Sequence, residues 1–253
     1  MTINNMEEGY VAHTLGLKAA QTYWPYLCAH TGKPGPEVNI GNIDKRYDCP
    51  VDVRTGSVIP AATSSWPACT FKGTFDMIER CRCTKIHKPI FFCAREKKGR
   101  RGFSIAEVIS SNAVPAVGLS QVKEKYCDLE WNWPYYDAPG TIQTARIDIS
   151  NADGQNTNWS FMKAAAAVLD RAVQEYAQRT DNTTRWQIGQ NIRGDTINRD
   201  TIFIVGFIHL GKAKWRPILQ LDGIVIPFTA YHPTMPQVGP PITWYADVLE
   251  GER

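Results

Sequence analysis

NWSFMKAAAAVLDRAVQEYAQRT, residues 158–180, is followed at residues 201–209 by TIFIVGFIH, and these two stretches decide the fold. In the first, Met162, Ala165, Ala166, Leu169, Ala172, Val173 and Tyr176 recur at steps of three and four, which places them on one stripe of an α-helix. Asn158 or Ser160 can cap its start, the alanines 164–167 carry the highest helix propensity, and Arg171 and Glu175 form an i,i+4 pair on the outer face. Asp181-Asn182 stops it. The second stretch is apolar at odd and even positions alike, which predicts a central strand covered on both faces. Leu210–Ala213 then reads as a turn, Lys214–Leu221 as a strand, Asp222-Gly223 as a hairpin dipeptide and Ile224–Tyr231 as a further strand. Pro217 and Pro227 each remove a ladder donor, so these two strands are expected at an edge or bulged. The helical stripe packs on this sheet.

Earlier in the chain, Thr141–Ser150 alternates, with Ala145, Ile147 and Ile149 inward and Arg146 and Asp148 outward. Val114–Tyr136 reads as irregular and aromatic-rich. Phe103–Ser111 is a short helix opened by the capping box Ser104-x-x-Glu107. Pro89–Ala94 is a short apolar strand, and Thr70–Ile86 a long one with a wet face carrying Lys72, Asp76, Arg80 and Arg82. Thr31–Pro67 is dense in Pro, Gly and Asn and reads as an extended arm, laid over its own domain or reaching a neighbouring subunit. Residues 7–24 form a first helix, interrupted by Gly9 and Gly16 and ended at Trp24-Pro25. The expected fold is therefore α+β: a mostly antiparallel sheet, barrel or sandwich-like, with one main flanking amphipathic helix and a long Pro/Gly-rich N-terminal arm. Residues 1–69 make the helix and arm, and residues 70–253 the main body.

With 253 residues, 43% hydrophobic and 21% charged, the chain can bury a large core, and its composition excludes wholesale disorder. A net charge of +3 gives no support to a nucleic-acid-coating role. No run of 18 apolar residues and no signal-peptide layout is present, so a protein made in the cytoplasm with no membrane span is expected. The seven cysteines, Cys28, Cys49, Cys69, Cys81, Cys83, Cys93 and Cys127, are an odd number, which leaves at least one thiol outside any pairing within the chain.

Three groups of residues could carry chemistry. Cys69, Cys81, Cys83, His87 and Cys93 offer thiolates and an imidazole, the donor set for zinc or an iron–sulfur cluster. Their spacing lacks the usual zinc knuckle, so disulfides within or between subunits and plain buried thiols compete with a metal, and no cofactor is expected. Arg95, Lys97, Lys98, Arg100 and Arg101 make a basic loop that could face DNA by counterion release, against the plainer reading of a solvated hairpin tip. Trp131, Trp133, Tyr135 and Tyr136 could be a sugar-stacking or interface patch, or simply packed core. Arg193-Gly-Asp195 matches a tripeptide read by some adhesion receptors, a match too short to weigh. Cys28 and His30, with a distant His209 or His232, are the nearest approach to a cysteine hydrolase, and nothing around them fits a nucleophile's setting.

The helix feeding an antiparallel sheet at Asn158–Tyr231, the arm at Thr31–Pro67 and the end segment Trp244–Arg253 together resemble virion subunits of tailed bacteriophages, of the tail-tube, terminator, neck and baseplate kind. That resemblance implies a non-enzymatic, ring- or tube-forming structural subunit whose partners are copies of itself and other virion proteins. It also implies disulfides that lock the particle after release. A carbohydrate- or receptor-binding module built on Trp131–Tyr136 is the alternative, and a metal-bearing protein built on Cys69–Cys93 the third.

Overall fold

The apolar run after residue 201 forms the middle of a six-stranded sheet in the computed structural model of the chain. The structure describes residues 9–15, 20, 23, 51, 55–60, 86–92, 101–111, 122–136, 142–151, 154–179 and 184–226. In chain order its elements are α1 (Tyr10–Leu15), β1 (Ile90–Phe91), β2 (Phe103–Ser104), α2 (Ile105–Ser110), β3 (Tyr126–Trp131), β4 (Gln143–Asp148), α3 (Asn158–Ala177), β5 (Gly189–Gln190), β6 (Thr196–Ile197), β7 (Ile202–Gly211) and β8 (Lys214–Leu221). The sheet runs β1-β7-β8-β3-β4, with β2 also on β7, while β5 and β6 form a separate hairpin. All its pairings are antiparallel except β3 with β8, which run parallel.

Every residue of β7 is buried, as a central strand requires. One side of it packs under α3. Phe161 stacks on Phe207 with ring centroids 4.2 Å apart and meets Trp215 edge-on at 5.5 Å. All seven residues of the expected helical stripe are buried, together with Trp159, Phe161 and Val168. The cap is one residue earlier than the sequence suggests. Thr157 Oγ1 accepts from the Ser160 N–H at 2.9 Å while the Thr157 N–H donates to Ser160 Oγ at 3.0 Å. At α2 the predicted box forms: the Glu107 N–H donates to Ser104 Oγ at 3.1 Å, and the Ser104 N–H to Glu107 Oε2 at 3.0 Å.

The other side of the sheet is covered from the N-terminal part of the chain. Phe203, Val205, Ile208, Leu210 and Ile218 are buried there, and the Tyr10 hydroxyl of α1 donates to Gln220 at 2.7 Å. Residues 55–60 lie along β8: the Ile59 N–H donates to Leu219 O and the Leu221 N–H to Ser57 O, both at 2.9 Å. This described part of the Pro/Gly-rich segment therefore packs on its own sheet. The rest of the expected arm, and all but Ile86 of the strand expected at Thr70–Ile86, lie outside the described residues.

Several expectations need correction. Among the described residues the sheet is not closed into a barrel. Tyr126–Trp131, read as irregular, is strand β3. Ile224–Ile226 does not add a strand to β8; it is tied to residue 57, whose N–H donates to Ile224 O at 2.9 Å and whose hydroxyl accepts from the Ile226 N–H at 2.7 Å. Pro217 lies in an interior strand, not at an edge. The register explains how. The Asp128 N–H donates to Ala213 O, so residues 213, 215 and 217 turn their backbone groups toward β3, and the parallel ladder ends at Leu129↔Trp215. The missing donor of Pro217 falls where β8 exchanges β3 for residues 57–59 as its outer neighbour.

Candidate functional site

Cys69, Cys81, Cys83, Cys93, Arg95, Lys97, Lys98 and Arg100 lie outside the described residues, so the metal, cluster, disulfide and DNA-facing readings of those groups are not addressed by the geometry. Among the described residues no group of three or more His, Cys, Asp or Glu side chains is gathered as a metal site. Two members of the expected groups are placed. The Arg101 guanidinium stands 5.9 Å above the Tyr10 ring. The His87 ring lies 4.7 Å from that of His209 and 6.1 Å from that of Trp215. Cys127, the described cysteine, is a buried free thiol, with its pKa pushed up to about 12 by burial first and by Glu124 and Asp128 second. It is unreactive by that setting.

The aromatic patch splits. Trp133 and Tyr136 are buried, and each is locked to the segment after α3: Trp133 Nε1 donates to Trp186 O at 2.7 Å, and the Tyr136 hydroxyl accepts from the Ile188 N–H at 2.9 Å. Tyr136 also packs 4.9 Å from Tyr176. Sugar stacking needs an open ring face, which these two rings do not offer. Trp131 and Tyr135 are half-buried. Beside Trp131 and Trp133, Ile105, Leu169, Tyr176 and Leu219 leave an apolar gap of about 10 Å³, room for a single water.

Two buried polar groupings were not anticipated from the sequence. His209, in the apolar strand β7, accepts at Nδ1 from the His87 N–H at 2.9 Å, and its Nε2 lies 2.7 Å from Lys212 O. Those partners specify a neutral ring with its proton on Nε2. Burial pulls its pKa down to about 4. On the opposite face of the sheet, Glu130 of β3 and Arg216 of β8 are each about 2% exposed; Glu130 lies 2.7 Å from Lys214 Nζ and 3.8 Å from Arg216 Nη2. Burial lowers the Arg216 pKa to about 10, with Glu130 opposing the shift. Arg216, a charge set between Trp215 and Pro217 in β8, was the signal for this cluster.

The solvent-facing feature is the end of the sheet. Ile149 N–H donates to Lys125 O, in step with the Cys127↔Ile147 pair, so the odd residues of β4 bond inward to β3. Thr144, Arg146 and Asp148 turn their backbone N–H and C=O groups outward, and among the described residues nothing pairs with them. All three side chains are exposed. Arg146 lies over the Tyr126 ring at 5.1 Å, and Lys125 over the same ring at 5.3 Å. Asp148 sits 3.6 Å from Lys125, and its carboxyl is held below the ordinary range first by the Ser150 hydroxyl and then by the Ser150 N–H, with Lys125 adding to both.

Arg193-Gly-Asp195 forms the tip of the β5–β6 hairpin. Asn191, 4% exposed, shapes it by accepting at Oδ1 from the Arg193 and Asp195 N–H groups at 2.9 and 3.1 Å. The Arg193 guanidinium folds back to Val225 O at 3.3 Å. Among the described residues no helix is long and apolar enough to cross a membrane. The chain matches no protein-family model, no curated protein and no solved structure.

Proposed function

We propose that this chain is a non-enzymatic structural subunit that assembles with copies of itself, in the manner of the tailed-phage virion subunits it resembles. The observation that supports this reading is the outer edge of β4, where Arg146 and Asp148 present an exposed row of backbone donors and acceptors. An edge of this kind is a template for adding a strand from another chain, and main-chain hydrogen bonds supply the affinity. Closed sheets and covered edges avoid such contacts; among the described residues nothing covers the outer side of β4. Size-exclusion chromatography with light scattering, followed by electron microscopy of the eluted species, tests the proposal. A ring or tube of many copies is expected, and a stable monomer at high concentration would overturn it.

A further inference from the structure

Resting on that reading, we infer that β4 pairs with β4 of a second copy, antiparallel about a two-fold axis at Ile147, so that each Arg146 stands opposite the Asp148 of the other copy. The backbone allows few alternatives. The outward groups belong to the even residues, Thr144, Arg146 and Asp148, so a self-pairing joins even residues to even residues. Centring the axis on Arg146 would set two arginines directly opposite each other, which repels. Centring it on Ala145 sets Arg146 against Thr144 and carries Asp148 out to the strand's start. Centring it on Ile147 makes two identical Arg146–Asp148 pairs, each exchanging both of its N–H···O bonds, and puts the pairs on one face. Charge thus selects the register as well as the partner.

The surroundings suit this arrangement. Opposite residues of an antiparallel pair project to the same face, and Arg146 and Asp148 are both exposed on the face bearing Tyr126. Tyr126 is 43% exposed in the single copy and sits opposite Asp148 in the β3–β4 register, so each aromatic ring flanks an incoming Arg–Asp pair. Ser150 holds Asp148 Oδ1, which leaves Oδ2 to be shared with an incoming arginine: its Lys125 partner is 3.6 Å away, the two side chains are 60% and 43% exposed, and a pair that open to water holds little. The free run is short. Beyond Asp148 the Ser150 N–H turns back to Asp148 Oδ1 and the chain turns at Asn151, whose N–H donates to Gln155 O, which confines the contact to the centre of β4. Such an interface is isologous and closes at two copies, so it supplies the building block of a larger assembly, which needs a second, different contact to grow.

The test is a charge exchange read by analytical ultracentrifugation. Arg146→Asp and Asp148→Arg each place like charges in both pairs and should raise the dimer dissociation constant about tenfold or more. The double variant R146D/D148R restores opposite charges and should return to within about threefold of the wild type. Hydrogen exchange on the unmodified protein gives a reading that needs no variant: the Arg146 and Asp148 amides should become protected as concentration rises, while Ala145 and Ile147 are protected throughout. Single variants that dissociate like the wild type would overturn the edge pairing and leave the subunit reading standing. A dimer that responds as expected but never grows further would support the pairing and overturn the larger assembly. A wild type monomeric at every concentration would overturn both.

Discussion

His209 has both ring nitrogens committed, one as acceptor to the His87 N–H and one beside Lys212 O. A proton arriving at Nδ1 therefore has to break a buried bond. The folded pKa lies at about 4 against 6.5 for the ordinary side chain, so between those values the unfolded chain binds more protons. Stability contributed by the neutral ring is complete above about pH 6.5 and is lost as the pH falls toward about 4, to an extent on the order of 3 kcal/mol. In denaturant titrations the gap between wild type and His209→Gln should narrow by about 2–3 kcal/mol from pH 7 to pH 4.5; parallel curves would remove the coupling. Glu130 makes a different prediction. Glu130→Ala leaves the Arg216 charge buried without its carboxylate and should cost about 3–5 kcal/mol in thermal or chemical unfolding, whereas Lys214→Met, at a side chain 39% exposed, should cost about 1 kcal/mol or less.

At the scale of elements, the N-terminus of α3 and the contact of β1 with β7 are the points to probe. Thr157→Ala removes one half of a reciprocal cap and should lower stability by about 1 kcal/mol in a urea titration. Gly206 allows β1 to approach because a Cβ there would run into the backbone carbonyl of Ile90. Gly206→Ala should therefore cost about 1–3 kcal/mol, with the Phe91–Phe92 amides exchanging faster than in the wild type. What the sequence discloses about these elements follows from how local each signal is. The stripe of α3, the capping box of α2, the apolar run of β7 and the turn and Asp222-Gly223 that flank β8 are carried by neighbouring residues and were legible. Strand β3 was missed although Cys127, Leu129 and Trp131 alternate with Asp128 and Glu130, because Glu130 is a charge turned inward and is balanced by residues far along the chain. Ile224–Ile226 has strand-forming residues, yet β8 already has β3 and residues 57–59 along its outer side. The site was less legible than the fold: whether β4 lies inside a sheet or at its end is a property of strand order, which no local pattern in 141–150 carries.

For the whole molecule, the direction of two adjacent amides separates folding from assembly. The Arg146 N–H points away from β3, so Arg146→Pro should keep the melting midpoint near that of the wild type while abolishing the β4-to-β4 contact, read as a lower assembly mass in light scattering. The Ile147 N–H belongs to the inner ladder opposite Cys127, and Ile147→Pro should unfold the sheet's end at a cost of about 3 kcal/mol or more. A low-temperature melt for the first variant, or retained assembly, would contradict the assignment of the edge.

The order in which the sheet is laid down has a consequence for the growing chain. The middle of the sheet, β7 and β8, comes after nearly all of its neighbours: Tyr10 waits 210 positions for Gln220, and Gly56 waits 164. During synthesis α1 and residues 55–60 therefore leave the ribosome with no surface to settle on, and β3 finds only β4. The core can close only once Leu221 has emerged, and closure then resolves many distant contacts together, a topology that folds slowly. Through that interval the apolar faces of Tyr10–Leu15 and Tyr126–Trp131 are exposed to other nascent chains, which makes chaperone demand and synthesis rate, more than final stability, the quantities that set the yield of folded protein.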